Sequence, residues 1–193
     1  GWITIARDRL LLLVTIQMTL ASVLLLVLLS IMPSLTALYL GLHYTDISFL
    51  MIPGGIGFGL GALLVSRLGH RLAYPQWISA GLIAIGCAIG LMVILSGNEG
   101  IIYLFLLMGA IFGLGVALAM SLIPARTMIQ ERPAPEMRGR AIAAQLALVN
   151  ALAVVPLLVG GAAADHLGVR PVMVVLALLA MGSGAAGLNR ARV

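Results

Sequence analysis

GALLVSRLGHR at residues 61–71 closes one long apolar run, and GGAAADHLGVR at residues 160–170 closes another. Laid over each other, Gly61 meets Gly160, Leu68 meets Leu167, Gly69 meets Gly168 and Arg71 meets Arg170, all at an offset of 99 residues. A glycine followed by a basic residue ends many helices, because glycine caps the last turn and the cation faces the negative end of the helix dipole. Either copy alone therefore says little. What the pair means depends on how many helices separate the two copies.

Uncharged runs extend over residues 10–45, 47–66, 72–98, 100–125, 141–164 and 171–189. A helical crossing takes about 20 residues, so each of the last five runs holds one helix. The first run is longer, but Pro33 and the stretch from Gly41 to Tyr44 suggest one long helix followed by a wet turn. The expected helices cover residues 10–38, 47–66, 73–96, 101–123, 140–164 and 171–189. No barrel-strand alternation occurs, so the class is an all-α membrane protein of six transmembrane helices.

The arginines test this count. Arg7 and Arg9 precede the first helix, Arg67 and Arg71 fill the second connection, and Arg126, Arg132, Arg138 and Arg140 fill the fourth. Arg190 and Arg192 follow the last helix, and Arg170 alone breaks the alternation. Short positive loops stay in the cytoplasm during insertion, so both termini are expected there, in a multi-pass protein of the cell membrane. One crossing more or fewer would scramble the pattern. The repeated glycine-arginine endings are therefore three helices apart, an odd number, and lie on opposite membrane faces. The chain reads as two inverted three-helix repeats, a signature of many secondary transporters.

Composition narrows the class further. Hydrophobic residues make up 62% of the chain and charged ones 9%, against about a quarter charged in soluble domains. The net charge of +5 does not indicate nucleic acid, because the arginines sit at helix ends with no aromatic-interleaved patch. There they anchor helices and meet anionic lipid headgroups. Cys87 is a lone thiol within an apolar run and reads as a small packing residue. The first run is too long for a signal-peptide core. The chain opens on glycine, from which a longer parent protein is expected. The segment from Pro124 to Arg140 reads as the longest internal polar connection, with Glu136 near the start of the next helix.

SRLGHR at 66–71 resembles the G-x-x-x-D-R-x-G-R-R signature between the second and third helices of each half of a major facilitator superfamily transporter. Ala62 stands at its first glycine, Ser66 at its acid and His70 at a basic position, as in the degenerate copy of a C-terminal half. Pro124, Arg126, Gln130 and Glu131, then Pro135 to Arg140, then Pro156, Gly160, Gly161 and Asp165, resemble the tenth to twelfth helices of the drug and macrolide efflux branch. The resemblance implies that the chain corresponds to helices seven to twelve and lacks an N-terminal six-helix partner. It also implies export of small amphiphilic compounds by alternating access, an antiporter role in multidrug resistance, and a bacterial inner membrane. The gating loops would comprise Ser66, Arg67, Gly69, Arg71, Arg138, Arg140, Asp165, Gly168 and Arg170. The first and fourth helices would line the cavity, and the third and sixth would face lipid.

The residues themselves offer fewer chemical groups. No ionisable side chain lies deep in any apolar run, where it would be the default candidate for ion coupling. Nothing implies a cofactor, a metal or an enzyme. Asp46, Glu99 and Asp165 lie at helix ends and read as hydrated loop acids. Thr15, Thr19 and Ser22 share one face of the first helix at i, i+4 and i+7, and Gln17 is the best single substrate contact because an amide in lipid needs a partner. Their structural role, bonding backbone carbonyls, is equally open. Met108 and Phe112 could supply an adaptable apolar wall, against a plain packing role.

Gly55/Gly59, Gly57/Gly61, Gly86/Gly90 and Gly109/Gly113 are small-xxx-small pairs that let helices approach closely. Two other functions remain. Gly182-Ser183-Gly184 could hold the nucleophile of an intramembrane serine protease, though all three histidines lie at loops. A stand-alone six-helix subunit, working as a dimer or a structural element, is also open.

Overall fold

The computed structural model describes residues 8–39, 47–69, 72–95 and 100–191. Six helices run through them: α1 Arg9–Tyr39, α2 Ile47–Leu68, α3 Tyr74–Leu95, α4 Ile101–Glu131, α5 Pro135–Leu167 and α6 Val169–Ala191. All six contain spans long and apolar enough to cross a membrane, and no strand occurs among the described residues.

Local chemistry sets several ends. Asp8 caps α1, its Oδ1 accepting the backbone N–H of Leu10 at 3.0 Å and of Leu11 at 3.3 Å, which satisfies two donors that a helix start leaves without partners. Gln76 reaches back from the first turn of α3, its Oε1 accepting the Ala73 N–H at 3.2 Å, half of a capping box. Pro135 opens α5 at a position where its missing N–H costs nothing, and Glu136 sits in that first turn.

The expected long connection between the fourth and fifth helices is the main correction. α4 continues through Pro124 to Glu131, and only residues 132–134 separate it from α5. Proline removes one helical hydrogen bond, but tertiary packing compensates. Ala125, Met128 and Ile129 recur on one face and join Leu11, Val14, Met18, Ile78, Ala141 and Ala144 in a core of their own. Arg126, Gln130 and Glu131 occupy the exposed face of the same turns. At 31 residues, α4 is about 46 Å long and outruns the roughly 30 Å hydrocarbon slab.

Packing follows the expected inverted repeat. Each second helix lies chiefly on the first helix of the other triplet, α2 on α4 and α5 on α1, while α3 and α6 pair with each other. Consecutive helices α2 and α3 make almost no contact; both lean on α4 instead. α1 is the most enclosed span and α2 the least. In lipid, apolar burial does not drive helices together, so close van der Waals approach must. Glycine permits it at three interfaces, one of them α3 on α4, where a Cβ on Gly81 would lie 2.7 Å from the Ser121 backbone nitrogen. A Cβ on Gly57 would overlap the Phe112 carbonyl oxygen, and one on Gly61 would lie 2.8 Å from the Val116 oxygen. Gly115 of α4 returns the contact against Gly54 and Phe58. Gly86 and Gly184 do the same between α3 and α6. The other members of the expected pairs, Gly55, Gly59, Gly90, Gly109 and Gly113, have nothing within 4 Å of where a Cβ would stand.

Seven described arginines (Arg9, Arg67, Arg126, Arg132, Arg138, Arg140 and Arg190) gather at one end of the bundle, and Arg170 lies at the other. His43, Asp46, His70, Arg71, Glu99 and Arg192, all singled out in the sequence, lie outside the described residues, as does the side chain of Asp165. The two repeat endings differ in detail. Gly168, the single residue between α5 and α6, has φ 88° and ψ 162°, a region open essentially only to glycine. Gly69 has no such positive φ.

Candidate functional site

The polar stripe of α1 faces inward. Thr15 Oγ1 donates to the Leu11 carbonyl at 2.7 Å, Thr19 Oγ1 to the Thr15 carbonyl at 2.7 Å, and Ser22 Oγ to the Met18 carbonyl at 2.9 Å. These are hydroxyl bonds back to the preceding turn, the common solution for such residues in a membrane helix. Gln17 is 4% exposed. Its Nε2 donates to Ser79 Oγ of α3 at 3.0 Å and to the Ser183 carbonyl of α6 at 3.3 Å. A Cβ on Gly187 would overlap the amide, so the absence of a side chain there makes its seat. Gln17 thus ties α1 to α3 and α6, with its Oε1 left without a partner among the described residues.

The open faces carry different groups. Met108 and Phe112 are half-buried on α4, beside Gly109 and Gly113. The α5 face runs through Ala143, Ala147, Asn150 and Val154, all exposed. Asn150 sits midway along the 33-residue helix, and its side chain has no hydrogen-bond partner among the described residues. The sequence carried this signal, an amide inside an apolar run, but only the packing separates it from the buried Gln145 and Gln17.

A cavity of about 1030 Å³ opens at the arginine-rich end, in the wedge between α2 and α3. Ser66 and Gly69 line it; Arg67, Arg138 and Arg140 do not. Ser66 Oγ donates to the Leu63 carbonyl at 2.9 Å, and Arg138 Nε donates to the Pro133 carbonyl at 3.4 Å. Arg132 Nε donates to Asp8 Oδ2, and its Nη2 to Asp8 Oδ1 at 3.3 Å. That guanidinium bond, aided by the N-cap amides, holds the Asp8 carboxyl below its ordinary value of 3.8 against partial desolvation. Arg170 and Gly168 lie together at the opposite end.

Among the described residues Ser183 has no histidine beside it. Ser183 Oγ donates to the Ala180 carbonyl at 2.9 Å. His166 lies in the last turn of α5, while Ser183 comes 14 residues after the start of α6, about 21 Å farther along. Among the described residues no cluster of three or more His, Cys, Asp or Glu side chains forms.

Six apolar helices in two inverted triplets, with buried amides and hydroxyls between them, define a multi-pass membrane protein. The family model for the Major Facilitator Superfamily matches residues 1–157, from the start of the chain to within α5. The chain belongs to that superfamily, and so to a class of membrane transporters. No curated protein matches it.

Proposed function

We propose that this chain forms one six-helix half of a secondary transporter that exports small amphiphilic compounds by alternating access against a second six-helix bundle. Asn150 carries the reading. An unpaired amide exposed to hydrocarbon costs several kcal/mol, so its face is better suited to contact protein or a water-filled pathway than lipid. Met108 and Phe112 supply a deformable apolar wall on α4 for greasy substrates, and the vacant sides of Gly109 and Gly113 leave room beside them.

In this reading the α1 hydroxyls of Thr15, Thr19 and Ser22 serve the helix, and Gln17 serves the rigidity of the half. The loops around Ser66 and Arg67, and around Gly168 and Arg170, act at opposite faces. The first lacks the family's acid, so it cannot form a carboxylate-based latch. An exporter of this kind belongs in a bacterial inner membrane.

Expression of the full protein is expected to lower cellular accumulation of fluorescent amphiphilic dyes or macrolides. Asn150→Leu, at unchanged membrane level, is expected to restore accumulation by tenfold or more in the export rate constant, about 1.4 kcal/mol. Export unaltered by Asn150→Leu would remove the polar-face argument. No change across a broad compound panel would remove the substrate class.

A further inference from the structure

We infer that the cavity at the arginine-rich end is a binding site for an anionic phospholipid of the cytoplasmic leaflet. Its walls come from the start of α1, the end of α2, the start of α3 and the ends of α4 and α6. All lie at the end that the positive charges keep in the cytoplasm, at headgroup depth. Its volume of about 1030 Å³ is at the upper limit of ordinary ligand pockets.

Three observations specify the occupant. First, the charge is positive and unbalanced. Arg132 and Arg190 both line the cavity, but Asp8 compensates Arg132. Arg190 has no ion-pair partner among the described residues, and Glu131 and Glu136 lie outside the wall. Secondly, Trp77 lines the cavity at 5% exposure, and its Nε1–H has no acceptor among the described residues. A buried indole N–H ordinarily finds one. Thirdly, the remaining wall is mostly apolar, with Ala62 among its residues, and the cavity is partly open rather than closed over. An acyl chain can lie there while its phosphate meets the arginine, with Tyr74 and Trp77 at the interface where aromatic side chains concentrate. A free phosphate would satisfy the charge but leave the apolar wall wet. A zwitterionic lipid would fill the wall but give Arg190 no net counter-charge.

Trp77 supplies its own reporter. The full-length protein, with Trp77 as its sole tryptophan, is reconstituted in vesicles doped with phosphatidylglycerol or phosphatidylcholine brominated on the acyl chain. Quenching by the brominated anionic lipid is expected to saturate at lower mole fraction than quenching by the zwitterionic one. Arg190→Gln should lower that preference about fivefold, the weight of one arginine near an anionic surface. Asp8→Asn, which keeps the helix cap, should instead raise it two- to fivefold by freeing Arg132.

A purely structural role for these side chains would not move the preference in opposite directions. Equal quenching by the two lipids would overturn the site, as would a preference indifferent to both substitutions. Displacement of the brominated lipid by millimolar inorganic phosphate would assign the cavity to a soluble anion and overturn the lipid assignment.

Discussion

Helices α2 and α5 occupy equivalent places in the two inverted triplets, yet they are held by different means. α2 lies on α4 almost backbone to backbone, through Gly54, Gly57 and Gly61 on one side and Gly115 on the other. α5 lies on α1 less extensively; of its glycines, Gly160 meets only the Val27 side chain at 3.0 Å and Gly161 meets nothing. Its arginine-rich end is held instead by the small core around Leu11, Met128, Ala141 and Ala144, and by the Asp8–Arg132 pair at the α4–α5 turn. One arm is fastened by shape, the other by side chains and charge. A twofold-related pair of helices need not move alike when fastened so differently.

Substituting the glycines gives the largest expected break in that symmetry. Gly57→Ala forces a methyl into the Phe112 carbonyl and should destabilise the bundle by about 2–3 kcal/mol, seen as a lower apparent Tm in detergent. Gly161→Ala on α5, with open space around it, should be neutral or slightly stabilising. Equal effects at the two sites would erase the distinction.

A smaller effect is expected at the repeat endings. Gly168→Ala must force a side chain into the glycine-only backbone region, at a cost of about 1–3 kcal/mol. Gly69→Ala, where the backbone takes no positive φ, should leave the apparent Tm unchanged. A matching loss at Gly69 would mean that the two endings share one geometry after all.

The smallest effect concerns the charged fastening on the α5 side. Arg132 depresses the Asp8 pKa in the folded state, so its stabilisation is fully present above the ordinary value of 3.8 and fades as pH falls through the depressed one. The pair is partly exposed, and such pairs contribute about 1 kcal/mol or less. Apparent Tm should fall between pH 5 and pH 3 by slightly more in the native chain than in Asp8→Asn. An identical acid response in the two proteins would show that the pair contributes nothing to holding α5.

The sequence was most legible where the membrane forbids alternatives. Run lengths and arginine positions placed six spans, because unpaired backbone cannot cross hydrocarbon and positive loops resist translocation. It was least legible at the arginine-rich end of α4. Pro124 and the charges after it read as a connection, yet Ala125, Met128 and Ile129 had a tertiary partner in the first turns of α1. The polar residues were visible as a set but not by role. Gln17 and Asn150 look alike in an apolar run, since both are amides with apolar neighbours. Gln17 is satisfied across α3 and α6, while Asn150 is left on an open face.

By itself, then, the sequence determined the number of crossings and the inverted relation of the two triplets. These follow from periodicity and charge, which act along the chain and need no partner helix. The tertiary structure decided which glycines bring backbones together, which amide stays unpaired, and that α2 and α3 part to leave a cavity beneath Trp77. Each of these depends on how a helix is rotated about its axis, and only the surfaces of other helices set that rotation.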